Sequence, residues 1–196
     1  MIQSREELRN YIKADAAANW REDTKVKIFG DDGWNFIVTL RKKEYYESFS
    51  TGKKICCFIP VIVNKIRLYR LAVKCGYTIP ANVCGKGLGL PHRGTIVINT
   101  TARIGMNCRI HEGVTIGSTS GSKQAAIIGN NVFIGSGAKI IGAITIADDV
   151  AIGANAVVVK DILEPGTTWA GNPARKISDR NSHSNLAPKL FQKEVD

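Results

Sequence analysis

From Ile104 to Val158 an aliphatic residue recurs at every sixth position of this chain. The series runs Ile104, Ile110, Ile116, then Ile128, Ile134, Ile140, Ile146, Ile152 and Val158. Position 122 alone is skipped, inside the polar segment Ser118-Thr119-Ser120-Gly121-Ser122-Lys123-Gln124. Glycine follows the aliphatic at Gly105, Gly117, Gly129, Gly135 and Gly153, and a small or branched residue follows four places after it, as at Cys108, Val132 and Ala156. An α-helix would smear a six-residue repeat around its circumference. Hairpins would show alternation broken by turns of varying length.

The solution that fits is a three-sided prism. Each hexad supplies one short strand and one corner, and three hexads make a coil. Residues one coil apart then stack in parallel ladders ~4.7–4.9 Å apart. The repeated aliphatic points inward, each contributing ~1.5–3 kcal/mol of transfer free energy, and coils gain stability by stacking on their neighbours. The glycines fit corners that need positive φ or close backbone approach. Upstream, Cys84, Leu90 and Ile96 keep the metre but Ile98 belongs to the later phase. A two-residue register shift is therefore expected near 96–102, in a prism starting around Thr78-Ile79-Pro80 and ending near Val159. The fold class is mainly β, a parallel β-helix with an N-terminal α-helical region. The expected units are 1–76 (helical), 77–160 (prism) and 161–196 (closing segment and polar tail).

In the helical unit, residues 4–20 read as a helix capped by Ser4 with Glu7 in the capping-box position. A second helix is expected at 35–48, after the Gly30-Asp31-Asp32-Gly33 turn, and a third at 55–74, with Pro60 imposing a kink or a late start. The apolar run 55–63 reads as core or subunit interface, with contact to a membrane surface as the alternative. In the tail, Leu186, Leu190 and Phe191 are the residues able to dock.

The formal charge is +10, and Lys53, Lys54, Lys65, Arg67, Arg70 and Lys74 share a stretch without acids. This is a solvated helix face or a surface for an anionic partner; with no accompanying motif, nucleic acid is not expected. No segment reaches the ~20 apolar residues of a membrane span, and the first residues lack the order of a secretory signal. The chain reads as cytoplasmic. Cys56, Cys57, Cys75, Cys84 and Cys108 form no CxxC pair, so they read as reduced apolar fillers, and no metal site is expected.

The stretch from Ile128-Gly129-Asn130-Asn131-Val132 to Gly171-Asn172-Pro173-Ala174-Arg175 resembles the hexapeptide-repeat acyltransferases. Leu90-Pro91-His92-Arg93-Gly94-Thr95-Ile96-Val97-Ile98 and Val114-Thr115-Ile116-Gly117 resemble the catalytic coil of serine O-acetyltransferases, and equally that of capsule and exopolysaccharide acetyltransferases. The resemblance implies a left-handed coil, a homotrimer, and acetyl-CoA as co-substrate in the groove between neighbouring prisms. It maps the catalytic base onto His92, a role suited to imidazole, which titrates near ~6.5. Ser136 and Ala154 match the positions along which the pantetheine arm runs, and Lys160 and Arg175 those that meet the nucleotide phosphates. His111 is expected to line the same groove or to be structural, Glu112 to orient the base, Gly117 to offer an oxyanion donor, and His183 to be inert.

The chain departs from serine acetyltransferases at the acceptor side. Pro91 stands where they carry an aspartate, Tyr77 or Thr78 where a second acid orients the imidazole, and Gln124-Ala125 where an arginine–histidine pair meets the amino-acid carboxylate. These departures favour a sugar hydroxyl as acceptor, in cell-surface polysaccharide synthesis and near lipid-linked glycans, over the alternative of free serine. A non-catalytic scaffold, or a carbonic-anhydrase-like metal site needing three histidines at an interface, is the reading from another class.

Overall fold

The structure, a computed structural model, describes residues 2–27 and 30–191. Four helices precede the prism: α1 (Arg5–Ala18), α2 (Asp32–Glu47), α3 (Thr51–Cys56) and α4 (Phe58–Cys75). Ser4 caps α1 by accepting from the Glu7 N–H at 3.0 Å, while the Glu7 carboxylate accepts from the Gln3 N–H, one residue outside the expected box. The expected third helix is two. It breaks at Cys57, so Pro60 falls in the first turn of α4, where its missing N–H costs nothing. The left-handed Gly76 ends α4 and turns the chain into the first strand.

The prism has three faces of short parallel strands. One stacks Tyr77–Thr78, Ile96–Ile98, Thr115–Gly117, Lys139–Ile141 and Val157–Val158. The second stacks Arg109–Ile110, Phe133–Ile134, Ala151–Ile152 and Thr168–Ala170, and the third Arg103–Ile104, Ile127–Ile128 and Thr145–Ile146. Ile110, Ile116, Ile134 and Ile140 are fully buried along the axis, as the six-residue metre requires. The ladder continues past residue 160 to Thr168–Ala170, and Arg175–Ser178 then closes that face in antiparallel pairing. The architecture is the expected prism, but the helices hold more residues than all its strands, so "mainly β" describes the layout and not the residue count.

The glycines after the inward residue serve close approach, not positive φ: a Cβ on Gly105 would lie 2.5 Å from the Gly129 carbonyl oxygen one coil away. The left-handed corner is taken three places after the inward residue, by Asn107, Gly113, Asn131, Gly137, Asp149 and Asn155. Asparagine tolerates that conformation and also stacks: Asn107 Nδ2 donates to Asn131 Oδ1 at 3.0 Å, and Asn131 Nδ2 to Asp149 Oδ1 at 2.9 Å. His183, expected to be inert, ends this ladder with Nε2 2.7 Å from Asp149 Oδ1. Leu186 is buried, which docks the start of the tail. Cys75, Cys84 and Cys108 are buried free thiols, and burial pushes Cys108 up to about 12; Cys56 is exposed and Cys57 half-buried.

One buried charge cluster joins helices to prism. Arg41, on α2, has no exposed surface; it donates to Asp15 on α1 at 2.7 and 3.2 Å, to Glu44 at 2.9 Å, and to the carbonyls of Cys84 and Gly85 at 2.9 and 2.6 Å. Asp15 in turn accepts from the N–H groups of Gly87 and Leu88, each at 2.8 Å. The first coil is thereby fixed against α1 and α2, and the site lies on that coil.

Candidate active site

His92 lies at an irregular corner. Gly89 pairs with Arg109, and Val97 with Thr115, so eight residues separate the first members (97 − 89) and six the second (115 − 109). The two additional residues fall in Pro91-His92-Arg93-Gly94, upstream of the expected 96–102. Gly94 makes the bulge possible: its φ is +147°, and a Cβ there would lie 2.7 Å from Glu112 Cβ. His92 is exposed, and its carbonyl is held by the buried Tyr77 hydroxyl, which donates at 2.7 Å. Tyr77 therefore positions the backbone of the corner, where an acid orienting the ring was the point of comparison.

The bulge sets His92 over the next coil's His111 and Glu112. The two imidazoles meet edge to face with centroids 5.6 Å apart, and His111 packs likewise on Phe133 at 5.1 Å. Arg109, stacked 3.8 Å over Trp20, donates Nε to His111 Nε2 at 3.3 Å. That bond assigns the His111 proton to Nδ1, which faces Ser136 Oγ at 3.4 Å and Glu112 Oε2 at 3.9 Å. Glu112 Oε2 is shielded from solvent and has no hydrogen-bond partner among the described residues, and the Ser136 hydroxyl holds the carboxyl below the usual range. His111 and Glu112 thus form a neutral-imidazole and carboxylate pair directly beside His92. Each of these three residues offers a ligand-type atom within 4.8 Å of the others, a donor set able to accept a transition-metal ion.

Below this cluster runs a column of diminishing side chains. The ladder places Ser136 next to Glu112 and Ala154 next to Ser136, with Gly137 N–H donating to the Glu112 carbonyl and Asn155 N–H to the Ser136 carbonyl, each at 2.8 Å. Ser136 and Ala154 therefore share one corner with His92. Lys160 does not: it follows Val158 at the corner beyond the first face, with Gly117 and the 118–124 loop, and is exposed. Arg175 is exposed at the start of the closing strand. Gly117 lies one face away from His92, so its N–H belongs to a different corner of the same prism.

On the other side of His92 a cleft of about 550 Å³ separates the prism from the helical unit. Its charged groups are already paired: Arg21 with Asp31 at 2.6 Å, and Asp32 with both Lys74 at 3.0 Å and Arg93 at 3.3 Å.

The family profile for "Bacterial transferase hexapeptide (six repeats)" matches residues 125–160. A soybean serine acetyltransferase solved with serine is 31% identical, with a TM-score of 0.66 over 87% of this chain and 69% of that one. The chain belongs to the hexapeptide-repeat acyltransferases. A Brucella abortus serine acetyltransferase in complex with coenzyme A matches at 26% identity and a TM-score of 0.67, over 90% of this chain and 70% of that one. The serine acetyltransferase of Helicobacter pylori is 44% identical over 101 residues, 50% of this chain, and the match spans 58% of the Helicobacter protein.

Within this hexapeptide-repeat acyltransferase, His111 was expected to line the groove or be structural and Glu112 to orient the base; both lie beside His92, and what sequence reading missed is the contacts of His111 with Ser136 and Arg109. That cluster carries a pH dependence. Burial, then the neighbouring Arg109 charge, lowers the His111 pKa from its ordinary value. An unfolded histidine takes up its proton near ~6.5, while folded His111 takes it up only at lower pH. Between the two values the unfolded chain binds more protons, so stability rises with pH there and is lost as pH falls through that window. Denaturant midpoints measured from pH 7 downward are expected to drop across it, and His111→Gln to flatten the slope. An identical slope in that variant would contradict the assignment.

Proposed function

We propose that this chain is an acetyl-CoA-dependent O-acetyltransferase with His92 as general base. The imidazole takes the proton of an acceptor hydroxyl as the oxygen attacks the thioester carbonyl. The tetrahedral intermediate collapses, coenzyme A leaves as the thiol with the proton returned from His92, and the acetyl ester remains on the acceptor. The observation that carries this reading is the corner column of His92, Glu112, Ser136 and Ala154, a base at the head of a line of side chains that shorten down the prism. The coenzyme A complex of the Brucella relative supports the same donor.

Ser136 and Ala154 lie on one corner and Lys160 on another. A homotrimer brings one copy's first corner against a neighbour's second, so the phosphates meet Lys160 and Arg175 while the thioester stays at His92. Exposed Val97 and Val159, on the face between these two corners, fit such contacts.

For the acceptor, the named relatives favour L-serine, and the cleft beside His92 offers both carboxylates and guanidiniums to a zwitterion. A neutral sugar hydroxyl is the second reading, favoured by Pro91, by Gln124-Ala125, and by cleft charges already paired with each other. Thiol release from acetyl-CoA separates them. Efficient turnover with L-serine and none with sugars establishes the first; the reverse establishes the second. Release with neither class of hydroxyl acceptor, in a folded trimer, would overturn the acetyltransferase reading.

A further inference from the structure

The outward face of α4 has no partner among the described residues, although Asn64, Leu71 and Cys75 bury its opposite side against the fold. At ~100° per residue, Phe58, Tyr69, Ile62, Val73, Ile66 and Ile59 fill a continuous arc of about 100°, and all six are 36–74% exposed. Lys65 borders that arc on one side and Arg70 on the other, with Arg67 and Lys74 further round; all four are exposed. Lys65, Arg67 and Arg70 make no ion pair among the described residues. Lys74 pairs with Asp32 of α2, and the sequence holds no Asp or Glu from Ser48 to His111, so α4 itself carries no acid beside its cations.

We propose that α4, with α3 beside it, docks this protein on an anionic membrane surface. An apolar stripe with cations along both rims is the arrangement of a helix lying in the lipid–water interface, its apolar residues among the acyl chains and its lysines and arginines at the phosphates. The helix does not cross: no described helix is long and apolar enough. A second copy of the same face fits less well, because pairing α4 with its own image sets Lys65 and Arg70 against identical charges. Docking also places the reaction. The chain runs from α4 directly into Tyr77, which holds the His92 carbonyl, and Lys74 of α4 shares Asp32 with Arg93 of the cleft. The active-site cleft then opens close to the lipid surface, whichever hydroxyl it accepts.

The full-length protein is to be floated with vesicles of phosphatidylcholine alone and of equimolar phosphatidylcholine and phosphatidylglycerol. Binding to the anionic vesicles only, released by raised salt, is the expected result. Each cation near the surface contributes roughly fivefold, so Lys65→Ala with Arg70→Ala is expected to weaken binding about 25-fold. Ile59→Asp is expected to abolish it while leaving the circular dichroism spectrum and thiol release unchanged. Failure of the wild type to float on anionic vesicles, or undiminished flotation of Ile59→Asp, overturns the proposal. So does a fall in the sedimenting mass of Ile59→Asp without lipid, which would make a second copy the occupant of this face.

Discussion

Replacing His92 with alanine is expected to lower kcat of the proposed acetyl transfer by ~10²–10⁴-fold, the contribution typical of a positioned general base. That corresponds to a barrier raised by about 3–5 kcal/mol. The ring is exposed at a corner, so its loss leaves no cavity and the protein should remain folded. KM for acetyl-CoA should change little, because the Ser136 and Ala154 track and Lys160 are untouched. Glu112→Gln and His111→Asn act one step further out and should cost less, mainly in kcat. Steady-state thiol release with the identified acceptor checks all three. Turnover by His92→Ala at the wild-type rate would remove the base from the mechanism and favour a non-catalytic or otherwise catalysed role.

Arg41→Ala carries the largest expected effect on stability. Burial alone would push the guanidinium toward losing its proton, but the Asp15 and Glu44 charges more than reverse this and raise its pKa. Removing it leaves two buried carboxylates uncompensated, together with two carbonyls that lose their donor. Breaking a buried pair in this way costs about 3–5 kcal/mol, against a total of roughly 5–15 kcal/mol for a folded protein. The helices should detach from the first coil or the chain should unfold near ambient temperature. Denaturant unfolding followed by circular dichroism measures this. A midpoint close to that of the wild type would show that the cluster does not hold the two units together.

The difference between these two sites also explains what the sequence revealed. The inward Ile series was legible because its periodicity is local and repeated; counting sixes named every buried Ile from Ile104 to Ile152 except Ile144, which stands four places after Ile140. The Arg41 cluster was not legible, since Asp15 lies 26 residues before Arg41 and the Gly85 carbonyl 44 residues after it, with no motif linking them. The corner column of His92, Glu112, Ser136 and Ala154 lay between these extremes. His92, Ser136 and Ala154 were each named from their motifs, but the steps down the corner are uneven. Gly89 to Arg109 spans 20 residues (109 − 89), Arg109 to Phe133 spans 24 (133 − 109), and Phe133 to Ala151 spans 18 (151 − 133). A bulge at Pro91-His92-Arg93-Gly94 lengthens the first step and an extruded loop at 118–124 the second, so a fixed count of eighteen brings neither Glu112 to His92 nor Ser136 to Glu112. The split of the third helix at Cys57 was hidden for a similar reason. Pro60 permits either a kink or a start, and only packing chooses between them.

A crystal structure of the protein with coenzyme A bound tests the catalytic column most directly. The thiol is expected within about 3.5 Å of the His92 ring, a reach suited to proton transfer at the thioester, with the pantetheine arm passing Ser136 and Ala154. A coenzyme lying along any other corner, with its sulfur remote from that imidazole, would contradict the mechanism.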